Sequence, residues 1–515
     1  MALSCIEKVV KGLTGVRSRA IPQARYVNTT SFDKPYRVYR TRWLVLSVCC
    51  LLALSNAMLW ISFTTVAEEV DEFYCHGSEC RASYISNQIF QLVAVIFGIG
   101  GMYVTDNYGI RLSIMCGTTL NFFGSLIRMV SSIPWIDDST LRVVLLHTGT
   151  TIAATTQIFY LVLPPKVAEI WFPGDQRSLA NALSFIANPL GVVLGTLTPS
   201  LFFNGSNHLD RATWRIFSFN AVMALLTAVT FFLSFFVRQG SPPTPPSASS
   251  AKHSIGAPPF WKSIMMCIRN KQFLIQMITF GLAFSELWGF MVIMHDITTE
   301  QGYSLYGYPM SLAAVAGVVG ALICGVIADY TKKFKEIARV CWVCFTSTVI
   351  FTRFWLRRKW SGAGDSVILM LACAGLGAFS IPQMVIGAEM GVETTFPIYE
   401  ATSSGLLMLS GQLWMFATYF VFETAKRFEL FYEFHEMSIA GNWQLNLDIW
   451  CVLAILAVVL SVIVNPRYKR LMLEDSMAKQ RIPPNSTLEM TRDVEHAKHE
   501  VTMDKPHLSH GRENG

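Results

Sequence analysis

Long apolar runs recur along the chain and alternate with shorter polar segments. A helix needs about 20 apolar residues to cross the roughly 30 Å hydrocarbon core of a bilayer, because it rises only about 1.5 Å per residue. Runs of about that length cover residues 43–66, 84–104, 112–131, 141–163, 179–203, 214–237, 273–295, 308–328, 338–356, 366–389, 403–424 and 447–465. Since a backbone in lipid must satisfy its own hydrogen bonds, the pattern predicts an all-α membrane protein with about twelve transmembrane helices.

The polar segments divide these runs into two sets of six. Residues 238–272 contain the stretch GSPPTPPSASS, which cannot bury apolar surface and is typical of a flexible linker. Residues 466–515 are charged and poor in aromatics, which favours a disordered tail. The expected organisation is a cytoplasmic tail, a six-helix bundle, a cytoplasmic linker, a second six-helix bundle and a cytoplasmic tail: 1–42, 43–237, 238–272, 273–465 and 466–515.

Composition and charge narrow the class of protein. Hydrophobic residues make up 52% of the chain and charged residues only 15%, whereas soluble proteins carry about 25% charged residues. The formal net charge of +6 does not indicate a nucleic-acid partner, because Lys and Arg lie mainly at the ends of apolar runs, where they set membrane orientation. The sequence shows no phosphate-binding loop, Ser/His/Asp set or metal-ligand spacing. We therefore expect neither ATP-driven transport nor enzymatic activity, and no cofactor or metal.

The charge asymmetry of the first segments predicts the orientation. Residues 1–42 hold nine Lys or Arg and two acids. The next loop carries five acids: Glu68, Glu69, Asp71, Glu72 and Glu79. Because positive segments stay on the cytoplasmic side, the N-terminus is predicted there, and an even number of spans returns the C-terminus to it. The plasma membrane is the favoured location, with an internal membrane as the alternative.

Two of the loops predicted to lie outside offer sites of covalent modification. Asn204 heads an Asn-Gly-Ser sequon and is expected to carry a glycan. Cys75 and Cys80 lie in a polar loop, whereas most of the twelve cysteines lie within apolar runs, where Cys behaves as a small hydrophobe. A short disulfide between Cys75 and Cys80 and a pair of free thiols are both open.

The two halves share sequence features at a common spacing. Asp106 follows the second run and Asp329 follows the eighth, 223 residues later. The Phe-Pro pair at residues 172–173 recurs at 396–397, a spacing of 224, and a glutamate precedes each pair by three residues. Three features within one residue of a common register indicate duplicated six-helix units, a pattern typical of transporters whose halves rock about a central site.

Charged residues cluster at the predicted cytoplasmic ends of these repeated helices. They are expected to act as a latch that tunes the conformational equilibrium, since binding residues of such proteins lie near the membrane midplane. The predicted gating residues are Asp106, Arg111, Glu169, Arg177, Asp329, Lys332 and Glu393, with Glu400 beside them.

Several stretches resemble a known family. The loop after the second run, DNYGIR at residues 106–111, resembles the signature of the major facilitator superfamily, although it lacks one basic residue. NAMLW at residues 56–60, QIFYLVLPPKVAEIWF at 157–172 and ATSSGLLMLSGQ at 401–412 resemble the feline leukaemia virus subgroup C receptor family, also called solute carrier family 49. The chain looks nearest to that family's third, major-facilitator-domain-containing type. The resemblance covers residues 36–466 and implies the major facilitator fold.

The resemblance also implies a choline or ethanolamine site built from aromatics and glutamines, with haem transport proposed as well. The matching positions are Trp60, Gln157, Trp288 and Gln412. Trp288 stands where the family has Tyr, a change that keeps the ring face but moves the polar group.

The residue types fit a cationic amine on physical grounds. A quaternary ammonium cannot donate a conventional hydrogen bond, so ring faces hold it, each contributing roughly 0.5–2 kcal/mol when desolvated. Trp60 and Trp288 lie in corresponding helices of the two halves, and Gln157 and Gln412 add orienting groups without charge. The alternative is that the two tryptophans face lipid or pack between helices, as most membrane tryptophans do.

Glu286 is an ionisable residue in the middle of the seventh run. Such groups are costly in a membrane and should face a cavity or a partner. Three roles are open: counter-charge to a cationic substrate, a proton site that couples transport, or a protonated group hydrogen-bonded between helices. Positions two apart on a helix point about 200° apart, so Glu286 and Trp288 share a cavity only if the helix is irregular.

These observations together predict a monomeric transporter of a small organic solute, best described as a choline- or ethanolamine-like cationic amine. It would work by alternating access in the lipid bilayer without ATP. Two alternatives stay open, a haem or porphyrin transporter and a sensor that binds its ligand without moving it.

Overall fold

The computed structural model describes residues 37–75, 80–173, 176–203, 209–244, 246, 258–300, 302–303, 307–357, 362–432 and 443–472. Within these ranges every regular element is a helix. The described residues up to Pro466 form one compact unit, and a second unit begins at Arg467. The predicted glycan site, Asn204, lies outside the described residues.

Sixteen α-helices of four residues or more make up the described part of the chain. The N-terminal bundle contains α1 (Thr41–Ile61), α2 (Ala67–Cys75), α3 (Ala82–Tyr108), α4 (Ile110–Ser131), α5 (Ser139–Thr155), α6 (Gln157–Tyr160), α7 (Leu163–Trp171), α8 (Arg177–Phe203) and α9 (Leu209–Ser234). The linker contributes α10 (Phe260–Arg269). The C-terminal bundle contains α11 (Lys271–Glu300), α12 (Tyr308–Thr331), α13 (Phe334–Trp355), α14 (Ala363–Thr395), α15 (Glu400–Tyr432) and α16 (Gln444–Ile463).

Eleven helical segments in the described part are long and apolar enough to cross a membrane. The fourth predicted span, residues 141–163, is where the prediction of one continuous helix is wrong, because α5, α6 and α7 replace it. The α-helical hydrogen-bond pattern is interrupted at Thr156, whose N–H bonds to Ala153, and again at Val162, whose N–H bonds to Phe159. Pro164 and Pro165 lie in the first turn of the next helix and lack the N–H donors that would continue the earlier one. Irregular backbone at membrane depth is tolerated where it lines a cavity.

The bundles meet through two related helix pairs. α3 packs against α15, and α8 packs against α12. In the order of the predicted spans these are second with eleventh and fifth with eighth, so exchanging the halves maps one pair onto the other. These pairs are the contacts expected of two duplicated units related by a pseudo-two-fold axis. A central space lies between the bundles, flanked by the two pairs.

Glycine allows one close helix contact inside the N-terminal bundle. At Gly191 of α8 an added Cβ would collide with the carbonyl oxygen of Leu54 in α1. The two backbones approach this closely only because Gly has no side chain. The contact fixes α8 beside α1, and both helices contribute to the central space.

The predicted linker, 238–272, contains a helix after its Pro/Ser-rich stretch. This helix, α10, buries Phe260, Ile264 and Cys267 on one face. Apolar residues three or four apart lie on one side of a helix, so this apolar stripe of α10 packs against the rest of the protein.

A disulfide is formed at the other end of the first span. There α2 extends the span, and Cys75 at the end of α2 is bonded to Cys80. The structure thus contains the bridge that the sequence left open.

Candidate functional site

A cavity lies between the two bundles, with a volume of about 720 Å³ including the part that is open to solvent. Its N-terminal wall comes from α1, the interrupted fourth span and α8, and its C-terminal wall comes from α11, α14 and α15. All four residues predicted for substrate binding line it: Trp60, Gln157, Trp288 and Gln412. They are far apart in sequence and come from both bundles.

The two tryptophans face each other across the pseudo-two-fold. The ring centroids of Trp60 and Trp288 lie 6.1 Å apart with an interplanar angle of 79°, an edge-to-face contact. The indole N–H of Trp60 donates to Asn87 Oδ1 at 2.6 Å, which fixes the plane of that ring. Both side chains are buried, so neither faces lipid, and packing between helices stays the alternative to a role in binding.

The two glutamines bring polar groups to the same cavity. Gln157 and Gln412 are buried, and the Oε1 atom of each has no hydrogen-bond partner among the described residues. A buried acceptor without a partner costs about 1–3 kcal/mol. A ligand hydroxyl or ammonium that donates to these oxygens would remove that cost.

The cavity carries no charge of its own. None of the described lining residues is ionised at neutral pH, and the rest of the lining is mostly aromatic, aliphatic or methionine. A small anion would find neither Arg nor Lys there. A cation would meet ring faces and thioethers, which stabilise a weakly hydrated charge better than a strongly hydrated one.

Three polar lining residues were not identified from the sequence. Asn188 of α8 donates to the hydroxyl of Tyr160 at 3.1 Å, and Ser184 lies one helical turn before Asn188. The Pro164-Pro165 dipeptide is the sequence signal nearest to Tyr160 in the interrupted fourth span. No sequence pattern indicated a cavity role for Ser184 or Asn188.

Glu286 does not line the central cavity. Its side chain is fully buried, and neither carboxyl oxygen has a hydrogen-bond partner among the described residues. The indole N–H of Trp450 in α16 donates to its backbone carbonyl at 3.0 Å, and Trp450 also stacks on Phe290 at 3.8 Å between ring centroids. The structure gives no support to the counter-charge alternative, because α11 is regular at this point and Glu286 is not among the residues that line the cavity with Trp288.

Glu286→Gln tests whether Glu286 is a proton site that couples transport. An ionised carboxylate there would be an unpaired buried charge, so the neutral acid, which glutamine imitates, suits the site. We expect the variant to keep the wild-type melting temperature and to lose any change of uptake rate with pH. Glu286→Asp keeps the titrating group and should keep the pH dependence. A pH profile of Glu286→Gln that matches wild type would exclude a proton-coupling role.

A buried ion cluster closes the cavity at the predicted cytoplasmic end. Lys166 of α7 lies 3.2 Å from Asp106 Oδ1 and 3.9 Å from Glu169 Oε2. From the other bundle, the hydroxyl of Thr402 donates to Asp106 Oδ2, and the Tyr399 ring lies 4.2 Å from the Lys166 ammonium. We call these five residues the Lys166 cluster. Lys166 was missed by the sequence analysis, although it lies within the family stretch 157–172.

The other predicted gating residues have different surroundings. Arg177 donates to the backbone carbonyl of Glu169 at 3.4 Å, which ties the start of α8 to α7. Glu393 is fully buried, and Lys332 ends α12 in a left-handed conformation. Arg111 makes no ion pair with a described residue, which does not support a latch role for it. The side chain of Asp329 lies outside the described part.

A second link between the bundles lies beside the Lys166 cluster. Asn181 of α8 donates to Glu389 Oε1 of α14 at 2.8 Å. Neither residue was predicted to gate. The link adds a polar contact between the bundles on the side where the fifth span begins.

The contacts at the opposite end of α3 are more exposed. Arg81 pairs with Glu423 of α15 at 2.9 Å, and this hydrogen bond raises the pKa of Arg81. The Arg81 side chain is 49% exposed, and exposed pairs contribute at most about 1 kcal/mol. Nearby, Thr196 and Ser311 share a hydroxyl hydrogen bond of 2.6 Å between α8 and α12. The cavity therefore lies between two layers of contacts, of which the Lys166 cluster is the more buried.

Comparisons with known proteins agree with this arrangement. The profile of the Major Facilitator Superfamily matches residues 45–419. The chain is 34% identical over 380 residues to Solute carrier family 49 member A3 of Danio rerio, covering 73% of this chain and 77% of that protein. It is 30% identical over 387 residues to Choline/ethanolamine transporter flvcr2a of Danio rerio, covering 73% and 79%. The structure of a D-xylose-proton symporter matches with a TM-score of 0.61 at 13% identity, covering 84% of this chain and 99% of that chain. This last likeness bears on the fold alone and confirms two six-helix bundles.

Proposed function

The chain belongs to solute carrier family 49 of the Major Facilitator Superfamily and is a multi-pass membrane transporter of small solutes, and from this premise we propose that its cargo is a small cationic amine of the choline or ethanolamine kind. The observation that carries the proposal is the pair of buried indoles, Trp60 and Trp288, 6.1 Å apart in an uncharged cavity between the bundles. The relative named for choline and ethanolamine transport supports the same class of cargo.

The cavity offers suitable contacts to both ends of such a molecule, the ammonium group and the hydroxyl group. The ammonium of choline spreads its charge over methyl groups, which pack against indole faces and methionine thioethers. Its hydroxyl can donate to the unpartnered Oε1 of Gln157 or Gln412. An ethanolamine ammonium would instead donate N–H groups to those oxygens. The absence of a carboxylate among the described lining residues keeps binding weak enough for release.

Transport would follow from the two contact layers around the cavity. Separating the Lys166 cluster opens the cavity on the predicted cytoplasmic side, and separating Arg81 from Glu423 opens it on the other. Alternation between these states moves a solute without ATP. The proposal includes a monomeric protein with both termini in the cytoplasm.

The test is uptake by the purified protein in proteoliposomes, using radiolabelled choline, ethanolamine and haem in parallel. We expect time-dependent accumulation of at least one of the two amines above that of protein-free liposomes, with competition by the other. Binding of an amine without accumulation would indicate a sensor instead. Accumulation of haem alone would indicate a porphyrin transporter.

A further inference from the structure

A second cavity lies wholly inside the C-terminal bundle. Residues of α11, α13, α14 and α16 line it, and its volume is about 430 Å³ including the part that is open to solvent. It shares no described lining residue with the central cavity. Its position within one bundle places it off the route between the bundles, so the transport mechanism above makes no use of it.

Two buried amide side chains line this cavity and have acceptor oxygens without a partner in the described part of the chain. Gln276 and Gln383 both line it, are only 2% and 4% exposed, and have Oε1 atoms without a hydrogen-bond partner among the described residues. Buried acceptors of this kind are rare unless water or a ligand satisfies them.

The orientation of each amide is set by its other contact. Gln383 Nε2 donates to the carbonyl oxygen of Phe379, which can only accept. Gln276 Nε2 donates to Thr394 Oγ1, whose own proton is used toward the carbonyl of Met390. If the oxygen and nitrogen of either amide were exchanged, the hydrogen bond that its Nε2 now donates would be lost. Both glutamines are left with an oxygen to be satisfied, so the missing partner must be a donor.

The remaining walls point to a charged donor with an anionic group attached. Trp342 and Phe280 add aromatic rings, which favour a cation. Lys335 also lines the cavity, where its ammonium donates to Asn465 Oδ1 at 2.8 Å and lies 3.8 Å from Glu336. Lys335 is the first charged residue of α13, at the predicted cytoplasmic face, and an ammonium there attracts a phosphate or carboxylate.

We propose that this cavity is a second ligand site, which binds a small zwitterion through a primary ammonium held by Gln276 and Gln383 and an anionic group held by Lys335. Phosphoethanolamine, free or as a lipid headgroup, is the simplest molecule with that chemistry. A quaternary ammonium cannot donate N–H bonds, so phosphocholine leaves both glutamine oxygens unsatisfied. The site therefore distinguishes primary from quaternary amines, which the central cavity does less sharply.

The test uses the full-length protein in phosphatidylcholine nanodiscs and measures its melting temperature with each ligand in large excess. Phosphoethanolamine should raise the melting temperature by at least about 2 °C. Phosphocholine should leave it unchanged at the same concentration, and this comparison needs no variant. The Gln383→Leu and Gln276→Leu variants should lose the increase. Thr346→Val, a buried change on α13 that does not line the cavity, should keep it.

Two further measurements identify the source of the ligand and its location. A shift with free phosphoethanolamine supports a soluble ligand, and a shift only with short-chain phosphatidylethanolamine supports a lipid headgroup. Trp60→Ala should retain either shift because it alters the central cavity alone. The proposal is overturned if Trp60→Ala removes the shift while the glutamine variants keep it. It is also overturned if no primary amine shifts the wild type, because the cavity then holds only water.

Discussion

Replacing either Trp60 or Trp288 by alanine lowers the kcat/KM of amine uptake by about 2- to 30-fold, because each indole face stabilises the cation by roughly 0.5–2 kcal/mol. The double variant should lose more than either single variant, since the rings belong to different bundles and flank one cavity. Phenylalanine at either position keeps a ring face and should retain part of the activity. The measurement is initial uptake rate over a range of choline and ethanolamine concentrations.

The matched control is Trp214→Ala. Trp214 lies in α9 and is 51% exposed, with no part in the cavity. It should leave uptake within about twofold of wild type. Equal losses for Trp214→Ala and Trp60→Ala would mean that the effect comes from stability, and unchanged uptake in the double variant would contradict a cation–π site.

Lys166→Met should reduce transport by at least about tenfold, because it removes the ammonium that pairs with the buried carboxylate of Asp106 and lies beside that of Glu169. Removing one partner from a buried ion pair costs about 3–5 kcal/mol. That cost falls on the conformation in which the predicted cytoplasmic end is closed, so the equilibrium shifts toward the open one. Hydrogen exchange of α7 and the first turn of α15 should rise at the same time.

Two substitutions separate this effect from general loss of charge. Lys166→Arg keeps the cation and the ring contact with Tyr399 and should restore much of the transport. Lys262→Met removes an exposed lysine of α10 and should change neither transport nor exchange. Wild-type exchange in α7 of the Lys166→Met variant would show that the cluster does not hold the bundles together.

Eleven of the twelve spans and the residues that line the central cavity at Trp60, Gln157, Trp288 and Gln412 could be predicted from the sequence. Apolar length fixes where helices cross a bilayer, and the common spacing of Asp106 and Asp329 marks the duplication. Family resemblance supplied the glutamines and tryptophans, and the structure brings them into one cavity. Their role in binding stays a prediction until transport is measured.

Other parts of the site depend on tertiary contacts that a single sequence does not reveal. Lys166 gains its importance from Tyr399 and Thr402, which lie more than 230 residues away in the chain. The interruption of the fourth span follows from local backbone geometry around Thr156 rather than from hydropathy, which is continuous there. Glu286 shows the reverse case, because simple helix geometry already placed it on the opposite side from Trp288.

The most direct measurement is an experimental structure of the full-length protein with a transported amine bound. The account predicts ligand density between Trp60 and Trp288, with the ammonium nitrogen within about 6 Å of both ring centroids and a polar atom within hydrogen-bond distance of Gln157 or Gln412. Density for the amine elsewhere in the protein, with the two indoles packed against aliphatic side chains, would contradict it.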